Sequence, residues 1–109
     1  MNKTHPSYDL VIGLGASGVS MAKFLRTMGE TVIATDINDS RQDIAAELNA
    51  LGIQTEIGFH DQKTFNNARV MVPSPGIPLT HKYIRAAAEN GVPITGELDI
   101  YGSAGFQGL

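Results

Sequence analysis

The sequence contains no cysteine, which excludes disulfides, thiolate metal sites and cysteine nucleophiles. It has no apolar run that approaches the roughly 18 residues of a membrane-spanning helix. Residues 1–6 also lack the apolar stretch of a signal peptide. We therefore expect a soluble, cytoplasmic protein with no membrane partner.

Positive charge is scarce as well. Eight Lys and Arg residues against eleven Asp and Glu residues give a formal net charge of −3. The only local basic grouping is Lys82 with Arg85, whereas a nucleic-acid surface needs a clustered basic patch. We expect no nucleic-acid partner, and a charged ligand would have to be held largely by backbone amides.

The chain does contain enough apolar residues for one domain, since its 109 residues are 42% hydrophobic and 17% charged. Short β-rich runs alternate with segments of helical period. The predicted strands are 8–12, 31–35, 53–57, 69–72 and 92–95, and the predicted helices are 16–28, 40–51 and 80–90, with a single turn at 61–66 and a further helix starting at 97. This alternation predicts an α/β, Rossmann-like fold with a mainly parallel five-stranded sheet and flanking helices.

Local signals predict how the helices begin and which face they bury. Residues 40–43 resemble a capping box, and Thr80 is in position to cap the helix that follows it. In the first helix, one stripe at helical spacing is expected to be buried, and it consists of Met21, Phe24, Leu25 and Met28.

A GxGxxG pattern formed by Gly13, Gly15 and Gly18 joins the first strand to the first helix. The first glycine permits the tight turn, the second lets the backbone approach a diphosphate, and the third allows close packing of helix on strand. The amides of Ala16, Ser17 and Gly18 and the positive end of the helix would meet the phosphates. Because a strand, an amphipathic helix and a downstream acid surround the pattern, it predicts nucleotide binding.

Two further loops follow predicted strands and therefore fall at the same edge of the sheet. Asp36 stands 18 residues after Gly18, near the spacing at which a carboxylate receives a ribose hydroxyl or a base donor. The alternative is a turn cap within residues 36–39. In residues 73–78, Ser74 and Gly76 could face the ligand, or the prolines could simply form a rigid turn.

The other titratable residues carry less information. His5, His60 and His81 are expected to be solvated or capping rather than catalytic, and none has partners at a metal-ligand spacing. Glu97 and Asp99 do not share a helix face, so they are not assigned as an acid–base pair. We predict no catalytic residue and no metal site in this chain.

Three segments together resemble the N-terminal domain of the D-glutamate-adding ligases (MurD) of the Mur ligase family, which act in peptidoglycan biosynthesis. The segments are residues 11–20, 74–78 and 96–98. The second is the most discriminating, because a nicotinamide-binding domain has no reason to carry it. The resemblance covers roughly residues 8–101.

The resemblance implies a domain that holds the UDP part of UDP-N-acetylmuramoyl-L-alanine. By position, Gly15, Ala16, Ser17 and Gly18 would meet the diphosphate and uridine, Asp36, Ile37 and Asn38 would border the uracil, and Ser74 and Gly76 would lie near the diphosphate or sugar. Some family members carry a basic residue where Asn38 stands. The resemblance also implies a parent ligase that uses ATP and magnesium to form an amide bond.

The expected organisation is a flexible N-terminus at 1–7, the UDP-substrate-binding domain at 8–101 and a tail at 102–109 that does not resemble the family. The family's Gly-Lys-Ser/Thr ATP loop is absent from this chain. We therefore expect a monomeric, truncated domain with no cofactor of its own, which is inactive without the central ATP-binding and C-terminal domains of the parent.

Two other readings of the sequence remain open. The glycine loop and Asp36 also suit NAD in a dehydrogenase or redox sensor, with Asp36 disfavouring the 2′-phosphate of NADP. A regulatory module that kept the fold and lost the ligand is the third.

Overall fold

Four parallel strands form the centre of the fold, and their order in the sheet is β3-β2-β1-β4. The computed structural model describes residues 7–95, so the predictions for residues 1–6 and for residues 96–109 lie outside the described residues. The strands are β1 (Asp9–Ile12), β2 (Val32–Asp36), β3 (Gln54–Ile57) and β4 (Val70–Pro73). The helices are α1 (Ala16–Thr27), α2 (Gln42–Ala50), α3 (Gln62–Asn66) and α4 (Lys82–Glu89).

Strand side chains alternate between the two faces of the sheet, and both faces carry apolar residues that helices cover. Val11 of β1 joins a cluster with Met21 and Leu25 of α1 and Leu48 of α2. Its neighbours in β1, Leu10 and Ile12, point the other way and pack with Phe65 of α3 and Ile84 and Ala87 of α4. The near-continuous apolar character of β1 is therefore explained by burial on both sides.

The prediction of five strands is wrong by one within residues 7–95. At the predicted fifth strand, residues 92–95, a single parallel bridge joins Ile94 to Met71. The Met71 amide donates to the Pro93 carbonyl, and the Thr95 amide donates back to the Met71 carbonyl. Pro93 has no amide hydrogen, so it cannot extend the ladder on its own side.

Two predicted helix caps are also wrong. The 3₁₀ turn Asp39–Arg41 precedes α2, and the Asn38 side chain caps this turn by accepting from the Ser40 amide. The side chain of His81, and not of Thr80, caps α4. Both helices begin later than predicted. Arg41, which directly precedes α2, provides no side-chain cap. The His81 side chain directly precedes α4 and becomes its acceptor.

The predicted stripe of α1 is only partly correct. Met21 and Leu25 are buried, but Met28 follows the helix and is mostly exposed. Gly29, the residue after the C-cap Met28, has a φ of +92°, the left-handed conformation that commonly ends a helix. No helix within residues 7–95 is long and apolar enough to cross a membrane.

The amino-terminal edge of the sheet is closed by an ion pair. Asp9 is fully buried, and its Oδ1 accepts from Nε of the half-exposed Arg69 at 2.8 Å. Burial raises the pKa of Asp9, and the neighbouring Arg69 guanidinium opposes this effect. The second carboxylate oxygen of Asp9, Oδ2, is buried and has no hydrogen-bond partner among the described residues, so the ion pair satisfies only part of this carboxylate.

Candidate functional site

The carboxyl-terminal edge of the sheet is open and holds a cavity of about 430 Å³. Crevices at this edge are where ligands bind in open α/β sheets. All three predicted loops reach it. The lining consists of Ile12, Gly13, Leu14, Gly15, Ala16, Ser17, Gly18, Asp36, Ile37, His60, Ser74, Pro75, Ile77 and His81.

The glycine loop, residues 13–18, ends in the first turn of α1. The first helical hydrogen bond runs from the Val19 amide to the Gly15 carbonyl at 3.0 Å, and no side chain caps Gly15. The amides of Ala16, Ser17 and Gly18 therefore have no acceptor within the helix. Together with the helix dipole, they make a site suited to an anion.

The three glycines of this loop serve different purposes. A Cβ on Gly18 would lie 1.8 Å from the Gly13 carbonyl oxygen and 2.6 Å from Ser74 Oγ, so only glycine fits there. Gly13 has a φ of +91°, which a side chain rarely tolerates. A Cβ on Gly15 would meet nothing within 4 Å. Packing explains Gly13 and Gly18, whereas Gly15 leaves open space beside the free amides.

Asp36 and Arg41 clamp the glycine loop through both polar groups of Leu14. Asp36 Oδ2 accepts from the Leu14 amide at 2.7 Å, and Arg41 Nη2 donates to the Leu14 carbonyl at 2.6 Å. Asp36 Oδ1 also accepts from the Asn38 amide at 2.8 Å. The carboxylate of Asp36 therefore joins the glycine loop to the loop after β2 while it lines the cavity.

Of the residues predicted to border a uracil, some line the cavity and one does not. Ile37 lines the cavity and is 61% exposed, so it offers an apolar surface to a ligand. Asn38 does not line the cavity, and its side chain is occupied by Ser40.

The loop after β4 is tied to the glycine loop. Ser74 Oγ donates to the Gly13 carbonyl at 2.7 Å, and the Ile77 amide donates back to the Ser74 carbonyl at 3.0 Å. Pro75 and Gly76 then occupy the central positions of a turn in which the second must have a positive φ, and Gly76 has a φ of +98°. Gly76 itself lines a neighbouring cavity of about 430 Å³.

Sequence reasoning missed two residues of this site, His60 and His81. They belong to a ring cluster made up of His60, Phe65, His81 and Tyr83, in which the two imidazole centroids lie 5.3 Å apart. Both histidines also line the cavity. Their positions after β3 and after the β4 loop were a usable signal, because those segments end at the same edge of the sheet.

The electrostatic setting of His60 differs from that of a solvated histidine. Its Nδ1 lies 2.9 Å from Oγ1 of the buried Thr35. Burial, followed by the neighbouring His81, lowers the pKa of His60, and Asp36 opposes this effect. His81 is both an α4 cap and a cavity residue, since its Nδ1 accepts from the Tyr83 amide.

Residues 7–96 match the family model described as the Mur ligase MurD-like N-terminal domain. Two curated relatives are named UDP-N-acetylmuramoylalanine–D-glutamate ligase. The one from Bdellovibrio bacteriovorus is 41% identical over 100 residues, with 89% of this chain and 21% of the relative covered. The one from Desulfosudis oleivorans is 39% identical over 93 residues, with 84% and 20% covered. The chain thus spans about a fifth of the length of these relatives.

Solved structures share the fold. A pseudomurein peptide ligase type C from Methanothermus fervidus matches with a TM-score of 0.73 at 25% identity, over 88% of this chain and 20% of that one. A lactate dehydrogenase from a deep-sea metagenome library matches with a TM-score of 0.61 at 20% identity, over 84% of this chain and 38% of that one, which shows the fold alone. With its family match over residues 7–96, the chain belongs to the MurD-like N-terminal domain family of the Mur ligases.

Proposed function

We propose that this domain binds the UDP part of UDP-N-acetylmuramoyl-L-alanine in a D-glutamate-adding ligase of peptidoglycan biosynthesis. The observation that carries the proposal is the pairing of free amides at Ala16–Gly18 with the open space above Gly15. A diphosphate needs both hydrogen-bond donors and close access to the backbone. The named activity of the curated relatives supports this choice of ligand.

The remaining parts of the substrate follow from the lining of the cavity. Ile37 and the Asp36 end of β2 provide a surface for the uracil, and Ser74 lies where the diphosphate leaves the glycine loop. A direct contact of Asn38 with the uracil is not supported, because Asn38 lies outside the lining, its side chain caps the 3₁₀ turn and its amide donates to Asp36. Gly76 belongs to the neighbouring cavity, which the sugar would enter.

The chemical step belongs to other parts of the parent protein. Within residues 7–95, no group of three or more His, Asp or Glu residues is placed to hold a metal ion. The resemblance to the ligase family, rather than this absence, supports binding of ATP, magnesium and D-glutamate by other domains of the parent. In this assignment the domain anchors the substrate, and the parent ligase forms the amide bond.

A nicotinamide dinucleotide is the competing ligand. Both carboxylate oxygens of Asp36 already accept backbone hydrogen bonds, from Leu14 and Asn38. Each oxygen keeps a second lone pair, so these bonds do not by themselves exclude a ribose hydroxyl. UDP is favoured because the dehydrogenase likeness concerns the fold alone, whereas the curated relatives are named as ligases.

The test is an NMR titration of the 109-residue chain with UDP and, separately, with NAD. We expect UDP to shift the amide signals of residues 15–18. Gly15→Val should weaken UDP binding at least about tenfold, because the side chain would occupy the space needed for the diphosphate. Ala50→Val, which adds the same side chain at an exposed position near the opposite edge, should leave binding unchanged. Shifts with NAD alone would contradict the proposal.

A further inference from the structure

The described lining of the cavity is poor in positive charge. It contains one carboxylate, Asp36, and no lysine or arginine. Arg41 lies nearby but donates to the Leu14 carbonyl and is not part of the lining. A nucleotide diphosphate carries two negative charges, which would then face a carboxylate with only the backbone amides of α1 to offset them.

The remaining groups of the lining that can become positive are His60 and His81. They stand on the α3/α4 side of the sheet, whereas the glycine loop leads to α1 on the other side. A ligand in the cavity would therefore lie between the helix amides and the two imidazoles. Within the described residues, Nε2 of neither ring has a hydrogen-bond partner.

The hydrogen bonds of His60 are compatible with a second proton on its ring. The Thr35 hydroxyl donates to the Phe59 carbonyl at 3.3 Å, so its oxygen is able to accept from His60 Nδ1 at 2.9 Å. With Nδ1–H directed to Thr35, the second proton would reside on Nε2. Protonation of His60 would therefore break none of these contacts.

His81 differs from His60 in this respect. Its Nδ1 accepts from the Tyr83 amide at 3.3 Å and caps α4, so a proton on Nδ1 would break the cap. In the neutral ring the hydrogen then belongs to Nε2, which is a donor without a charge. The pair thus differs in geometry: His60 can gain a proton on Nε2 without losing a contact, whereas a proton on Nδ1 of His81 would cost the α4 cap.

Other titratable groups surround His60, and some of them affect its pKa. Asp36 at the end of β2 favours the charged ring, while His81 and burial disfavour it. Tyr83 of α4 packs edge-on against the ring, and the neighbouring Asp61 is occupied with the Lys63 amide. A bound diphosphate would add negative charge and so favour the charged ring further.

We propose that His60 and His81 are diphosphate-binding residues, with His60 taking up one proton from solvent as the ligand binds and His81 donating from its Nε2–H while its Nδ1 keeps the α4 cap. This inference rests on the proposed binding of a UDP-linked ligand. The pair completes the cavity opposite the amides of α1, and it makes affinity depend on pH.

The experiment is calorimetric titration of the 109-residue chain with UDP-N-acetylglucosamine, whose diphosphate does not titrate near neutral pH. Uridine, which lacks phosphate, is the matched ligand. Affinity for the sugar nucleotide should fall about tenfold between about pH 5.5 and about pH 8, while affinity for uridine stays constant. Titration in two buffers of different ionisation enthalpy should report uptake of up to one proton for the sugar nucleotide alone.

Two variants separate the roles of the histidines. His60→Asn keeps an amide near Thr35 but cannot gain charge, so the pH dependence should disappear. His81→Asn keeps a good helix cap, so the pH dependence should remain while affinity falls by a constant factor of about three to ten. Uridine binding should be unchanged in both variants, which shows that the cavity is intact.

Several outcomes would overturn the inference while leaving UDP binding in place. These are an affinity independent of pH in the parent chain, a pH dependence that survives His60→Asn, or an equal loss of uridine binding in the variants, which would place the uracil against the histidines. If neither ligand binds to the parent chain, the proposed function and this inference both fail.

Discussion

The two walls of the cavity are built on different principles. The glycine loop presents backbone amides and a fixed dipole, and its shape depends on the absence of side chains at residues 13, 15 and 18. The ring cluster presents side chains that are held by packing and that can titrate. One wall therefore supplies donors that are independent of pH, whereas the other contains His60, which we propose gains a proton when the ligand binds.

The largest expected effect distinguishes two glycines of the same loop. Gly18→Ala should lower the free energy of unfolding by about 3 kcal/mol or more, because its Cβ would overlap the Gly13 carbonyl. Gly15→Ala should change it by less than about 0.5 kcal/mol, since nothing lies within 4 Å of its Cβ. Urea denaturation measures both. Equal losses of unfolding free energy would show that Gly15, like Gly18, is required for packing.

The next effect concerns the support of the ring cluster. Phe65→Leu should lower the free energy of unfolding by about 1.5 kcal/mol, because Phe65 is fully buried against His60 and Tyr83. It should also bring the pKa of His60 closer to its ordinary value by admitting water. Phe59→Leu, at a half-exposed ring, is the control and should change neither quantity. NMR titration of the histidine ring signals reports the pKa. An unchanged pKa of His60 in Phe65→Leu would show that packing against Phe65 does not set it.

A smaller effect tests the tie between the loops. Ser74→Ala removes the hydrogen bond to the Gly13 carbonyl and should cost about 1 kcal/mol of stability. Ser20→Ala, at an exposed position of α1, should be neutral or slightly stabilising because alanine is the better helix former. Thermal denaturation compares the two variants. A neutral Ser74→Ala would mean that the turn at Pro75 and Gly76 holds the loops without the hydroxyl.

The smallest effect is the pH dependence of stability that His60 contributes. Burial and His81 lower the pKa of His60 in the folded state, so below about pH 6.5 the unfolded chain binds more protons. The stabilising contribution is present above that pH and is lost as the pH falls through the lowered pKa. The difference in unfolding free energy between the parent and His60→Asn should follow this course, because the contributions of Asp9 and Glu56 cancel in it. A flat difference would contradict the lowered pKa.

Much of the wall formed by the glycine loop, residues 13–18, could be predicted from local sequence. The order strand, GxGxxG, helix sets the positions of the glycines and the free amides, because all of these are neighbours along the chain. The same holds for Pro75 and Gly76, whose turn geometry follows from their own backbone preferences. The ring cluster could not be predicted in this way, since it draws on a loop, α3 and the start of α4.

The sequence by itself determined the alternation of strands and helices, the parallel sheet and the loop that ends in α1, because periodicity and glycine positions are properties of short segments. The packing of the elements was needed to show that the carboxylate of Asp36 clamps Leu14, that Asn38 caps a turn instead of lining the cavity, and that His60 and His81 line it. The positions of Asp36 and His60 depend on partners in distant segments, the Leu14 amide and the Thr35 hydroxyl. These pairings are settled by the packing of the sheet and helices, and local sequence does not encode them.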